Sequence, residues 1–304
     1  MQEKGNRVRS KGTALLVLES TRPGQWVKNL FVLAPLVFAK YLDQPWDVAR
    51  SLLAFIAFCA ASGAVYLLND IKDLEADRLH PDKRHRPLPS GRLSVTAAGW
   101  GAALVASLAV GLALALGRDV TAALVGYLVL NLAYSLKLKT IPYLDAASIA
   151  LGFLLRVLAG AAAVSVTASS WLLACTALLA GYLALGKRAH ELTALGDKAA
   201  EHRKVLARYR RVHVQWVMTI LGLATVAAYA VYTLSDRTRS FFGTDHLVYS
   251  SLFVAFGLFR FRALALDGAR SVSPTEAMLR DWPFVFNIVT WGASVVGIIY
   301  LLPR

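Results

Sequence analysis

Long apolar stretches alternate with short polar breaks along the whole chain. They cover 26–42, 48–68, 94–116, 119–136, 143–164, 169–186, 212–235, 246–265 and 283–302. Each reaches or approaches the ~20 residues that a helix needs to cross the hydrocarbon of a bilayer. The pattern predicts an all-α polytopic membrane protein with nine transmembrane helices. The first stretch is the weakest, because Lys28 opens it and Pro35 interrupts it. The fifth carries Arg156 well inside. Even-numbered spans end alike, in Tyr66 to Asp70, Tyr134 to Lys137 and Tyr182 to Lys187, so each places an aromatic near the membrane surface with polar groups just beyond.

Composition agrees with that reading. The chain of 304 residues is 57% hydrophobic and 17% charged, with a mean hydropathy of +0.51. Soluble domains average about 45–50% apolar and about 25% charged. A disordered chain, a collagen and a disulfide-rich secreted scaffold are excluded. Cys59 and Cys175 lie in apolar runs and read as small hydrophobes, not as a disulfide or zinc framework. The polar, basic segment 1–12 lacks the apolar core of a cleavable signal peptide. One membrane-embedded domain covers 1–304, with 1–20 as a tail that need not be tied to it.

The net charge of +14 would suggest nucleic acid in a soluble protein, but its distribution has another cause. If the N-terminus is cytoplasmic, the opposite side holds only Lys40, Arg50, Arg118, Arg237, Arg239 and Arg304, and every other Lys or Arg except Arg156 faces the cytoplasm. That asymmetry follows the positive-inside rule. It predicts a cell-membrane protein with its N-terminus inside, its C-terminus outside and no nucleic-acid partner. The longer inside loops also carry nearly all the acids and the Pro-rich turns, so the chemistry is expected at the cytoplasmic face.

The densest chemistry follows the second span. On a helix, Asn69, Asp70, Asp73 and Asp77 fall within about 100° of one another. Like charges so close repel, and hard oxygen donors of this kind suit Mg²⁺ shared with substrate phosphates. The alternative is a solvated acidic helix end. The next loop, 78–92, is basic and Pro-rich and includes Lys83 and Arg86. Its cations suit phosphate oxygens beside a metal, or anionic lipid heads. Farther along, Asp145, Ser148, Gly152 and Arg156 share one helix face. Asp145 and Arg156 lie ~16 Å apart along the axis and cannot pair with each other. Arg156 is a phosphate ligand deep in a pocket, or the partner of an acid on another helix. Asp145 is a ligand for a ribose or a metal, or a favourable charge at a helix start.

Asn69-Asp70-Ile-Lys-Asp73-Leu-Glu-Ala-Asp77 after the second span resembles the signature of the UbiA-type membrane prenyltransferase superfamily. Further stretches resemble its decaprenyl-phosphate phosphoribosyltransferase branch. They are Arg22-Pro-Gly-Gln-Trp-Val-Lys28-Asn29, the run from Asp77 through Lys83 to Arg86-Pro, Tyr134-Ser-Leu-Lys137-Leu-Lys139, Gly186-Lys187-Arg188-Ala-His-Glu191, and Ser273-Pro with Leu279-Arg-Asp281-Trp-Pro283. The resemblance implies nine helices around a central cavity. It also implies transfer of 5-phosphoribosyl from phosphoribosyl pyrophosphate (PRPP) to a polyprenyl phosphate such as decaprenyl phosphate, with loss of pyrophosphate, in making a cell-wall arabinose donor. In that frame Asp70, Asp73 and Asp77 are the catalytic Mg²⁺ ligands. The substrate-binding set is Lys28, Asn29, Asn69, Lys83, Arg86, Tyr134, Lys137, Lys139, Asp145, Arg156, Lys187, Arg188 and Glu191.

One departure bears on the substrate. Aromatic prenyltransferases carry a second Asp-rich motif after the fourth span, where this chain has Lys137, Lys139 and a single Asp145. That change fits a site holding extra phosphates. Two rivals remain: a UbiA-type enzyme joining a prenyl pyrophosphate to an aromatic acceptor, and an ion transporter. Acids clustered at a helix end, not at the midplane of broken helices, disfavour the transporter. The oligomeric state stays open, because small residues such as Gly152 and Gly160 suit both internal packing and self-association.

Overall fold

The structure is a computed structural model that describes residues 12–195, 205–267 and 274–302. Among those residues, eight helices are long and apolar enough to cross a membrane: α1 (Pro45–Lys72), α2 (Val95–Leu116), α3 (Arg118–Leu136), α4 (Leu144–Ala163), α5 (Ser170–Leu195), α6 (Arg211–Leu234), α7 (His246–Leu266) and α8 (Trp282–Leu301). Their ends fall where local chemistry stops or starts a helix. Pro45 opens α1 at a position that needs no N–H. The Ser94 hydroxyl accepts from the Ala97 amide ahead of α2. Gly117, at φ 122°, makes the tight reversal into α3. Asp281 caps α8 by accepting from the Phe284 amide at 3.0 Å, and Arg260 of α7 grips the same carboxylate at 2.9 and 2.7 Å.

The first predicted span takes another form. Pro23–Leu33 is a 3₁₀ helix, and Ala34–Phe38 adds a short α-helical piece. A 3₁₀ helix rises about 2.0 Å per residue against about 1.5 Å in an α-helix. The two pieces together therefore cover roughly 30 Å, the thickness of the hydrocarbon. They run the length of the bundle. At one end the Arg22 guanidinium meets Asp70, and at the other the Leu42 amide donates to the Tyr300 hydroxyl at 3.2 Å. Tyr300 in turn donates to the Val37 carbonyl at 3.0 Å. The segment packs into the bundle because α4 offers it a glycine. A Cβ on Gly160 would lie 1.9 Å from the Val32 carbonyl oxygen. Gly160 therefore serves internal packing, and so does Gly152, which faces Tyr127 and Leu130.

The remaining core forms where helices meet. Phe58, Leu124, Tyr127 and Val32 pack together in one half. Tyr182, Met218, Phe261 and Leu258 pack in the other. A smaller cluster of Leu16, Leu67, Leu88 and Leu93 closes the Asp70 end. Leu16 belongs to a helix, Thr13–Ser20, so this part of the predicted tail is docked on the domain; residues 1–11 lie outside the described set. Outward faces carry large exposed apolar residues such as Trp100, Leu104, Leu223 and Phe259. That inversion of a soluble surface is what a lipid solvent requires.

Gly160→Ala is expected to destabilise the domain by about 1–3 kcal/mol, because the backbone carbonyl it meets cannot move aside as a side chain can. Thermal unfolding in detergent, with Gly111→Ala as the comparison at a position where a Cβ meets nothing within 4 Å, should show a lower midpoint for the first variant only.

Candidate active site

α1 carries Asn69 and Asp70 in its last turn, ends at Lys72, and is followed by the short helix Leu74–Leu79. Backbone bonds from Asp73 N–H to the Asn69 carbonyl and from Asp77 N–H to the Asp73 carbonyl carry the helical register across the break. The predicted acidic face is thus built, but its members take different partners. Asp70 and Asp77 are buried. The Arg86 guanidinium joins them, at 3.3 Å from Asp70 Oδ1 and 2.8 Å from Asp77 Oδ2. Arg22 also reaches Asp70, and Lys83 lies 3.1 Å from the other oxygen of Asp77. Asp73 is 43% exposed and points towards Lys139, at 4.0 Å. Burial, with the Arg22 charge beside it, presses Arg86 below the usual guanidinium value, while Asp70 and Asp77 hold it charged. The Asn69 amide oxygen accepts from the Ser135 hydroxyl at 2.8 Å, which fixes α1 to the end of α3.

Beside this cluster a cavity of about 830 Å³ runs into the bundle. Arg22 bridges the two regions by lying 4.6 Å over the ring of Tyr66, which lines the cavity. The charged lining residues are Lys28, Arg156 and Lys187, and among the described residues no Asp or Glu joins them. Asn69, Asn131, Tyr127, Tyr134 and Ser148 add polar groups, and Phe31, Trp171, Leu179 and Ile288 continue the wall as an apolar groove. Arg156 is held in place without an acid. It donates to Asn29 Oδ1 at 2.7 Å, to the Gly152 carbonyl at 2.8 Å and to the Tyr127 hydroxyl at 3.1 Å. Asn29, itself buried, is braced by the Ser62 hydroxyl at 3.2 Å. It therefore orients Arg156 and does not line the cavity.

Three further predicted residues form a separate knot. Asp145 and Arg188 are fully buried, with Arg188 Nε 3.0 Å from Asp145 Oδ2 in an ion pair that is not aligned as a hydrogen bond. Arg188 also pairs with Glu191, one turn on. Tyr209 donates to the other oxygen of Asp145 and accepts from the Tyr143 amide at 2.6 Å. Burial, joined by the Asp145 bond, pushes the Tyr209 phenol above its usual range, so it stays protonated as the donor. α5 runs nine residues past the predicted end of its span, and Arg188 and Glu191 lie in that extension. The knot clamps α4 to α5 immediately beside Lys187. Lys137 is exposed and does not line the cavity.

The sequence pattern missed Arg22, Tyr66, Tyr127 and Tyr209. Tyr127, Asn131 and Tyr134 stand at i, i+4 and i+7, a helix-face signal that could have found the first of these. Tyr209 has no local signal, since its partner lies 64 residues away.

Among the described residues no three metal-ligating side chains already stand as a cluster. The donor chemistry still fits a hard divalent cation: Asp70 and Asp77 are near enough to share one positive group, and both offer carboxylate oxygens.

A bundle of membrane-spanning helices with acids at one end and a cationic cavity opening into an apolar groove defines a multi-pass membrane protein with one internal site. Residues 29–278 match the UbiA prenyltransferase family, and the chain belongs to that family. It is 32% identical to a decaprenyl-phosphate phosphoribosyltransferase of Corynebacterium glutamicum, across 100% of this chain and 92% of that one. It is 31% identical to a protein of the same name from Mycolicibacterium smegmatis, across 93% and 92%. Among solved structures, a UbiA homolog from Archaeoglobus fulgidus bound to GPP and Mg²⁺ superposes with a TM-score of 0.70 at 18% identity, covering 93% of this chain and 99% of that one. That likeness establishes the shared fold.

Asp145→Asn should cost about 3–5 kcal/mol, because it leaves a fully buried guanidinium facing a neutral amide. Adding Arg188→Met to that variant should recover most of the loss, and chemical unfolding of the single and double variants in detergent checks it.

Proposed function

We propose that this chain transfers the 5-phosphoribosyl group of PRPP to the phosphate of a long polyprenyl lipid such as decaprenyl phosphate, releasing pyrophosphate. The observation that carries the reading is the division of charge: buried carboxylates, Asp70 and Asp77, at the mouth, and three cations, Lys28, Arg156 and Lys187, lining the cavity. This reaction brings together a pyrophosphate, a sugar 5-phosphate and a lipid phosphate. A prenyl pyrophosphate with an aromatic acid presents fewer anionic groups. Relatives named for the phosphoribosyl transfer, similar over nearly their whole length, support the same choice.

In this reading Asp70, Asp73 and Asp77 hold Mg²⁺, which when bound neutralises charge developing on the pyrophosphate leaving group. Arg22, Lys83 and Arg86 release those carboxylates and turn to the phosphate oxygens. Lys28 and Lys187 hold the remaining phosphates of donor and acceptor. Arg156, fixed by Asn29 and Tyr127, is a preorganised cation that needs no rearrangement during the reaction. Lys139 steers the donor towards Asp73, and Lys137 adds to the positive field at the entrance. The knot of Asp145, Arg188, Glu191 and Tyr209 keeps Lys187 in register. The C1–O bond to pyrophosphate breaks as a lipid phosphate oxygen forms the new C1–O bond from the opposite face, with inversion. That oxygen is already anionic at pH 7, so no general base is needed. The polyprenyl chain lies in the apolar groove between α5, α6 and α8. The site faces the cytoplasm, with the N-terminus inside and the C-terminus outside. The product feeds synthesis of a cell-wall arabinose donor.

Purified protein given Mg²⁺, ribose-labelled PRPP and decaprenyl phosphate should move label into the lipid fraction, and a chelator should stop it. Asp73→Ala should lower turnover at least 100-fold while unfolding at the wild-type temperature, since its carboxylate is half-exposed and carries only a long contact to Lys139. Wild-type protein that ignores PRPP and instead joins geranyl pyrophosphate to an aromatic acid would overturn the reading in favour of ordinary prenyl transfer.

A further inference from the structure

A second concavity, of about 380 Å³, lies on the flank of the bundle between α6 and α7, lined by Val212, Gln215, Trp216, Thr219 and Arg262. Arg262 lies one turn from the end of α7, and Gln215 and Thr219 occupy the first turns of α6. Both positions are at the end of the bundle that carries the acids, because α6 starts two residues after Tyr209, the partner of Asp145. The guanidinium of Arg262 has only neutral company: the Thr219 hydroxyl at 2.9 Å and the Gln215 carbonyl at 3.4 Å. Among the described residues no carboxylate reaches it. An arginine on a membrane-spanning helix without an acid is costly unless another anion answers it. Beside it Trp216 is 65% exposed and Val212 62% exposed. An outward tryptophan at this level is an anchor at the boundary between headgroups and acyl chains. Arg208, Arg210 and Arg211, all exposed, lead into the same helix.

We infer that this groove is a binding site for the phosphodiester headgroup of an anionic bilayer phospholipid. The phosphate meets Arg262 and Thr219, the acyl chains lie along Val212 and Trp216, and the preceding arginines face the negative leaflet. The charge decides the occupant: a guanidinium answered only by neutral groups, at headgroup depth, complements a phosphate and not a neutral lipid. The cavity that holds Lys28, Arg156 and Lys187 shares no lining residue with this groove. The inference is therefore independent of the transfer reaction.

The test is native mass spectrometry of the full chain in detergent with added phosphatidylglycerol or phosphatidylcholine. Wild type should retain phosphatidylglycerol about tenfold more tightly than phosphatidylcholine, the scale of a charge-assisted hydrogen bond. Arg262→Gln should abolish that preference, and Arg262→Lys should keep part of it. An unfolding midpoint of Arg262→Gln in detergent equal to that of wild type shows that the variant is folded. An equal preference in wild type and Arg262→Gln overturns the inference. So does displacement of the phosphatidylglycerol by decaprenyl phosphate together with a raised KM for that lipid in Arg262→Gln, which would assign the groove to substrate entry.

Discussion

Charge taken out of water has to be answered within a few ångströms, and the architecture of this bundle follows from how each charge is answered. At one end, Arg86 joins two buried carboxylates from a single helix exit, and Arg22 and Lys83 complete the balance. These contacts fold the loop after α1 back onto its own helix and draw the start of the 3₁₀ segment against it. Inside the cavity the rule is met differently. Among the described residues Arg156 meets no acid and is held by an amide oxygen, a phenol and a backbone carbonyl. Neutral acceptors orient a guanidinium without cancelling its charge. The cavity therefore keeps a positive potential that paired arginines would lose.

The buried knot around Asp145 shows the opposite solution from nearly the same residue types. There Arg188 is cancelled by Asp145 and Glu191 and shut away from the cavity. Adjacent residues on α5 are thus divided between two tasks: Lys187 faces the cavity, and Arg188 locks the helix that presents it. A buried ion pair adds little net stability over an apolar contact. Its use here is positional, since it fixes the rotation of α5 about its own axis and with it the direction of Lys187.

Much of this was legible in the chain. Eight of the long apolar stretches became helices, seven of them with ends within a few residues of expectation and α5 running nine residues further, because length and hydropathy decide that a segment must pair its backbone internally in lipid. The first stretch failed as an α-helix for a reason visible beforehand: Pro35, which lacks an N–H, interrupts it. Pattern could not supply the remedy, a longer rise per residue. The spacing of Asp70, Asp73 and Asp77 located the acidic site, and the shared face of Ser148, Gly152 and Arg156 pointed into the cavity. The partners were hidden. Arg22 lies 48 residues from Asp70, and Asn29 lies 127 from Arg156. Only the packing of the 3₁₀ segment against α1 and α4 brings them together.

That packing connects fold to chemistry. An α-helix of the same residues would span roughly 24 Å at 1.5 Å per residue and would place Lys28 and Asn29 on a different angular schedule. With three residues per turn, Asn29 meets Ser62 and Arg156 while Lys28 lines the cavity. Gly160 permits the approach by leaving room for the Val32 carbonyl. The irregular 3₁₀ segment is therefore the element that supplies one cavity cation directly, orients a second through Asn29, and delivers Arg22 to the acids at the mouth. A regular α-helix of these residues would be shorter, and it would not hold these three groups in those places at once.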